Sequence, residues 1–296
     1  MDPISVLVGP TAGGKSSVAL ALAPRLGAEI VSLDSMLLYR GMDIGTDKPI
    51  ATDGVRHHLI DVLEPTERFD LKRYLEAADE AIAGIIARGR RVLVVGGTGL
   101  YLMGLLKGVF EGVPRDPALR ERLAAFDTTD LHARLTERDP ETAARLHPND
   151  RRRITRALEV FETTGAPLAA HQTQFDGPDR YPARIAGIRW PREVLRERIR
   201  TRVDAMFAAG LVEEVRSLAG RLGPTAAQAV GYKEVVEALE GRTSMDEAHE
   251  RIVSHTVRLM RRQSTWFKRF DVRWFEGAAP DLATDLIAYF RGTTVE

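Results

Sequence analysis

Cysteine is absent from the 296 residues, which excludes disulfides and thiolate metal centres and is compatible with a reducing cytoplasm. Long apolar runs are absent too. The longest uncharged stretch, Val92 to Leu106, is interrupted by glycines and ends at Lys107, too short to cross a bilayer as a helix. No signal-peptide pattern is expected ahead of Ile4, and there is no internal repeat or low-complexity tract. Net charge is also missing: 42 basic residues balance 42 acidic ones, which argues against a grip on nucleic acid through bulk positive charge. The charge is unevenly spread, however. Between Arg251 and Arg273 seven Arg or Lys residues face a single acid, Asp271, and Arg151, Arg152, Arg153 and Arg156 form a second cluster. Such runs serve either as solvated helix faces or as patches for an anionic polymer.

What is present has the mixture of an ordinary globular chain, long enough for one large domain or a core carrying a smaller one. Ile4 to Val8 is short, apolar and β-branched, and gives way to a glycine-rich turn and an Ala/Leu-rich helical stretch from Lys15 to Leu26. Glu29 to Leu33 and Val92 to Val95 read as further strands, with a helix over Leu71 to Ala87 between them. Strands alternating with helices predict an α/β fold, a P-loop NTPase-like core with a parallel sheet flanked by helices. From Pro114 to Gly177 the pattern turns helical, broken by prolines, and reads as an insertion. The expected organisation is therefore core over 1–113, helical insertion over 114–178, and core again over 179–296 with basic C-terminal helices. In that last part Arg184 to Trp190 and Val272 to Phe275 read as strands, and Leu195, Ile199, Val203 and Met206 mark a helix closed by Gly210 as a left-handed cap.

The sharpest local signal is Gly9, Pro10, Thr11, Ala12, Gly13, Gly14, Lys15 and Ser16, which fits GxxxxGK(S/T) between a strand and a helix. Its glycines let successive amide hydrogens face a phosphate chain, Lys15 adds a point charge, and Ser16 is the expected magnesium ligand. The strand Val92 to Val95 ends in Gly96, Gly97 and Thr98 without an acid, which weakens an NTP-hydrolysing motor or switch. Asp34 instead ends the strand after the P-loop helix, where ligands of open α/β sheets bind, and is the candidate general base. A turn or helix-capping role is its alternative. Thr98 is placed to bond Asp34 or the phosphates, or serves as an ordinary turn residue.

The order of motifs resembles the tRNA dimethylallyltransferase (tRNA isopentenyltransferase) family over nearly the whole chain. The segments are GPTAGGKS from Gly9, DSMLLYRGMDIGTDKP from Asp34, HHLIDV from His57, GGTGLY from Gly96, HPNDRRRITRALEVF from His147, QAVGYKE from Gln228 and RRQSTWFKRF from Arg261. Leu37 departs from the pattern, since many members carry Gln there. The resemblance implies transfer of dimethylallyl from its diphosphate to the exocyclic amine of the adenosine just 3′ of the anticodon, by a cytoplasmic monomer. Asp34 then takes the amine proton. The P-loop, Mg2+ and Arg202 hold the diphosphate, with Thr98 beside its oxygens. For the tRNA anticodon stem-loop the resemblance points to Asp34, Ser35, Met36, Leu37 and Thr98 at the target base. It points further to Arg152, Arg153, Ile154, Thr155 and Arg156, to Gln228, Ala229, Val230, Gly231, Tyr232 and Lys233, and to Arg261, Arg262, Gln263, Trp266 and Lys268. Trp266 and Phe267 either stack on bases or pack in the core. His57 and His58 read as structural rather than as metal ligands.

Three rivals share parts of this pattern. A small-molecule P-loop kinase leaves the basic C-terminal half unexplained, an adenylate isopentenyltransferase needs no RNA-binding helices, and a non-catalytic RNA-binding protein does not need Lys15, Ser16 and Asp34 together.

Overall fold

Every residue of Ile4–Val8 (β1) is buried, as is every residue of Ala28–Leu33 (β2). Unbroken burial, without alternation, is what a parallel sheet covered on both faces demands. The computed structural model that shows this describes residues 3–49, 52, 54–108, 116–171 and 177–293. Between β1 and β2 runs Lys15–Leu26 (α1), which opens on left-handed Gly14 and closes on left-handed Gly27. Then follow His57–His58 (β3), Leu71–Ala87 (α2), Arg91–Gly96 (β4) and Gly99–Lys107 (α3). Asp70 caps α2 by accepting from the Arg73 N–H at 3.2 Å, and Tyr74, Ala78, Ile82 and Ile85 form its buried stripe.

Chain contacts divide the molecule into two units, Met1–Leu106 with Arg180–Glu296, and Lys107–Asp179. The boundary expected at 113/114 lies outside the described residues. The second unit is built from Pro117–Ala124 (α4), Thr128–Arg138 (α5), Pro140–Arg145 (α6), Arg151–Thr164 (α7) and Leu168–His171 (α8). Asp116, Asp127, Asp139 and Asp150 cap the first four of these, which is why short helices stand between so many breaks. Leu119, Leu123, Leu131, Leu135, Ile154 and Leu158 make a small core of their own.

Glu159 is fully buried beside that core, where it accepts from Arg120 Nε at 2.8 Å, Arg156 at 2.6 Å and the Asp116 N–H at 3.0 Å. Burial pushes its carboxyl up, but Arg120, Arg156 and the Asp116 amide together outweigh burial and hold it below its ordinary value. A depressed carboxylate stabilises the folded state above its unfolded pKa and stops doing so as pH falls through its folded one. Glu159→Ala leaves the half-buried Arg120 guanidinium and the Asp116 N–H without this acceptor and is expected to destabilise this unit by about 1–3 kcal/mol. Chemical denaturation of wild type and variant at neutral pH measures the difference.

The chain returns through Ala183–Arg189 (β5), Arg192–Ala208 (α9), Leu211–Leu218 (α10), Tyr232–Leu239 (α11), Met245–Trp266 (α12), Arg273–Glu276 (β6) and Leu282–Arg291 (α13). The six strands pair in parallel throughout, in the order β3-β2-β4-β1-β5-β6. Leu22 and Leu26 of α1 and Leu286, Ile287 and Phe290 of α13 cover one face together with Leu7, Ile30, Leu93 and Ile188 from the strands. Two details differ from the sequence expectation. Ala209 closes α9, and left-handed Gly210 is the entry to α10 rather than a simple terminator. The second difference is β3, which is only two residues long and paired to β2 through Ile30↔His57, too short for any periodicity to reveal. His58 Nε2 lies 2.7 Å from Glu29 and His57 Nδ1 lies 3.0 Å from the Val55 carbonyl, so both rings serve the sheet edge.

Candidate active site

Because β1, β2 and β4 run in the same direction, their carboxyl ends deliver three loops to one edge of the sheet. Those loops are the P-loop after β1, Asp34 to Leu37 after β2, and Gly97 with Thr98 after β4. They line a cavity of about 350 Å³ that also takes in Gly45 to Asp47, Arg202, Met206, Gln228 to Gly231 and one face of α12. A larger groove of about 600 Å³ runs beside α10 and α11, but no phosphate-binding loop reaches it. Chemistry therefore favours the smaller space.

The P-loop is held from three sides. Lys15 Nζ donates to the Pro10 carbonyl at 2.8 Å across the turn. Trp190, following β5, donates its indole N–H to the Gly13 carbonyl at 3.1 Å. From α12, Gln263 accepts the Thr11 N–H at 2.7 Å. Ala12 sits at φ 60° and Gly14 at 79°, conformations that curl the backbone around a concavity. A side chain on Gly97 would begin 2.2 Å from the Gln263 amide, so glycine there lets the loop after β4 meet the same brace.

Around this cradle the charges converge. Burial pulls Lys15 down from the ordinary ammonium value to about 8; Asp34 opposes the shift and Arg202 adds to it. Asp34 Oδ1 accepts the Met36 N–H at 2.8 Å, which fixes the carboxylate, and Oδ2 has no protein hydrogen bond among the described residues. Thr98 donates its N–H to the Leu33 carbonyl at 3.2 Å and lines the cavity with its side chain at the start of α3. Arg202 pairs with Asp47 at 3.2 Å while its Nε is buried without a hydrogen-bond partner among the described residues. Ser16, at the head of α1, is exposed to the cavity.

The structure brings together Thr11 to Ser16, Asp34 to Leu37, Thr98, Arg202 and Gln228 to Gly231, with Arg262 and Gln263 at the margin, while Gly9 and Pro10 are buried and do not line the cavity. Elsewhere it separates surface from frame. Arg152 and Arg153 are exposed, but Ile154 between them and Arg156 is fully buried in the insertion's core. Gln228 and Lys233 are exposed, whereas Tyr232 is fully buried and donates its hydroxyl to Glu214 at 2.5 Å. Ile154, Tyr232 and Gln263, grouped with the tRNA contacts on motif grounds, thus have side chains committed to the protein's own interior. Arg261, Arg262 and Lys268 are exposed, and Trp266 is half-buried with the Arg269 guanidinium 4.5 Å over its ring. Phe267 is wholly in the core.

Several cavity residues escaped the sequence reading. Ile252, Thr256 and Leu259 share the helical spacing of Gln263 on α12, and Met206 lies one turn after Arg202 on α9; that periodicity was the available signal. Trp190 and Glu214, which brace the cavity's loops without lining it, had none.

Comparison with known proteins converges on one group. A family model described as IPP transferase matches residues 37–270, and one described as isopentenyl transferase matches residues 3–59. The chain is 45% identical over 284 residues to a tRNA dimethylallyltransferase of Desulforudis audaxviator, covering 93% of this chain and 92% of that protein. It is 46% identical over 289 residues to one of Symbiobacterium thermophilum, covering 94% and 91%. Among solved structures, the tRNA isopentenylpyrophosphate transferase of Bacillus halodurans is similar with a TM-score of 0.74 at 36% identity, over 99% of this chain and 95% of that one. A eukaryotic dimethylallyltransferase, at 22% identity and a TM-score of 0.85, shares the fold.

Proposed function

The chain belongs to the tRNA dimethylallyltransferase family, and from that premise we propose how its own residues move a dimethylallyl group from a prenyl diphosphate to tRNA. The acceptor in this reading is the exocyclic amine of the adenosine immediately 3′ of the anticodon. The observation that carries it is a glycine-rich loop, an aspartate and Arg202 lining one cavity.

The amine nitrogen attacks the first carbon of the dimethylallyl group, the carbon–oxygen bond breaks, and diphosphate leaves with the bonding electrons. Asp34 accepts the proton that the amine sheds; the Met36 N–H keeps its carboxylate turned for that task. Lys15, the P-loop amides and Arg202 are fixed before reaction, so they stabilise negative charge as it gathers on the leaving group without reorganising. Thr98 steadies the phosphate oxygens. The donor set also fits Mg2+, which needs only one or two protein ligands when phosphate oxygens and water complete its shell. Ser16 would hold the ion, and when bound it neutralises part of the diphosphate charge. No cluster of three or more His, Asp or Glu occurs among the described residues that would mark a different, all-protein metal cage.

An adenine inside an anticodon loop reaches such a site only if it is drawn out of its stack. Asp34 to Leu37 meet the extruded base; Gln228, Lys233, Arg152, Arg153, Arg261, Arg262 and Lys268 offer exposed polar groups for the stem-loop left behind. Leu37 contributes its backbone, having no side-chain hydrogen-bonding group. Among the described residues no helix is long and apolar enough to cross a membrane, and we assign the protein to the cytoplasm as a monomer.

Incubation of the pure protein with labelled dimethylallyl diphosphate and unmodified tRNA, followed by nucleoside analysis, is the direct test, with AMP as acceptor and ATP as phosphate donor offered in parallel reactions. Label on the adenosine is the expected result; label on AMP alone, or phosphate moved from ATP, would overturn the reading. Affinity for tRNA should also fall steeply with salt, log K dropping by roughly 0.7 per phosphate contact for each decade of salt on a single-stranded loop. A filter-binding series that stays flat contradicts the basic surfaces named here.

A further inference from the structure

The segment from Asp43 to Asp47 lines the diphosphate cavity with its last three residues, yet it belongs to none of the strands or helices described. Beyond its own turn bonds and a bond from Lys48 to Asp43, it is anchored by Glu214 on α10. One carboxylate oxygen accepts the N–H groups of Asp43 at 2.9 Å and Ile44 at 2.7 Å; the other accepts the Gly45 N–H at 3.1 Å and the Tyr232 hydroxyl at 2.5 Å. Three successive backbone amides converging on a carboxylate make an anion-binding concavity, here filled by the protein's own side chain. Gly45 presses against Tyr232 so closely that a side chain on it would begin 2.5 Å from the ring.

This anchoring has a consequence two residues on. Asp47 holds a left-handed backbone, φ 56°, uncommon for a residue with a side chain, and its carboxylate meets Arg202 at 3.2 Å. The pair is partly exposed, so it adds little stability. Its effect is orientation. With Asp47 on one terminal nitrogen, the guanidinium is held at the cavity that Arg202 lines, and its buried Nε has no hydrogen-bond partner among the described residues.

We propose that Glu214 is a positioning residue for the prenyl diphosphate: by gathering the amides of Asp43 to Gly45 it sets the loop whose Asp47 turns Arg202 toward the departing diphosphate. The inference rests on the assignment of Arg202 to that diphosphate. It adds a residue that does not itself line the cavity and acts through two others.

The test is steady-state kinetics on the full chain, with KM measured separately for dimethylallyl diphosphate and for tRNA. Glu214→Gln should raise KM for the diphosphate about tenfold, the scale of a lost hydrogen bond to a charged group. Asp47→Asn should raise it about threefold, as suits an exposed pair. Asn tolerates the left-handed backbone, so this second variant keeps the fold should Glu214→Gln lose it. Neither should move KM for tRNA more than about twofold, and in an Arg202→Ala background neither should add to the loss, because residues acting through one group are not additive. Additive effects, or equal rises in both KM values, would mean that Glu214 only supports the fold and would overturn the proposal. Arg202→Ala with an unchanged diphosphate KM would remove the Arg202 assignment and the relay with it; Lys15→Ala, run in parallel, reports whether the P-loop reading still stands.

Discussion

Asp34→Ala is expected to lower kcat by about 10²–10⁴-fold while tRNA affinity stays within about twofold of wild type. The reasoning is local. The carboxylate follows β2 at the cavity, one oxygen is occupied by the Met36 N–H, and the other has no protein partner among the described residues, the arrangement of a base that holds its aim while waiting for a proton. Its removal takes away a proton acceptor but none of the exposed basic groups at Arg152, Arg153, Arg261 and Lys268 that would hold the stem-loop. Single-turnover rates and equilibrium tRNA binding, measured on the same preparation, separate the two effects. A variant that turns over at the wild-type rate would refute the assignment of the base. One that loses binding and turnover together would instead make Asp34 a structural turn residue, the alternative that its bond to Met36 also permits.

The second large effect concerns Lys15. Lys15→Ala is expected to cost about 10²–10³-fold in kcat, the range seen when one preorganised donor to a developing anion is removed. Wild type should reveal the same group through pH. Burial brings the free enzyme's Lys15 to about 8, so in the absence of ligand it sheds its proton well below the ordinary lysine range. The charged form is the one that attracts diphosphate. Consequently kcat/KM for dimethylallyl diphosphate should be unaffected by this group below pH 8 and fall about tenfold per pH unit above it. Lys15→Ala should lack that alkaline limb, and Lys15→Arg should carry it beyond the measurable range because a guanidinium does not deprotonate there. A limb that persists in Lys15→Ala belongs to another group and would detach the titration from the P-loop.

Both predictions use residues that were legible before any fold was known, and the reason is common to them. A phosphate loop is local: glycine torsions, a lysine and a hydroxyl within eight positions suffice, provided that a strand precedes and a helix follows. Asp34 follows from the same short unit, since the end of a parallel strand next to that loop must open on the ligand side. The surroundings of the site were another matter. Gln263 reaches Thr11 across 252 positions of sequence, and its exposed neighbours Arg261 and Arg262 gave no hint that it is buried. Tyr232 and Lys233 stand side by side in one motif, yet the first is sealed beneath the Asp43–Asp47 loop and the second is on the surface. Such choices depend on which side of a helix another element covers.

The sequence by itself determined the parallel α/β architecture, the phosphate cradle and its aspartate, because strand burial, helix periodicity and glycine torsions are properties of a few neighbouring residues. Only the tertiary structure decided that Glu214 gathers the loop bearing Asp47, that Arg202 keeps a buried donor free, and that Ile154 and Tyr232 support the surfaces on which their neighbours stand. Those arrangements come from side chains that meet only after the chain has folded, and the free energy of their meeting is written in distances that no local pattern carries.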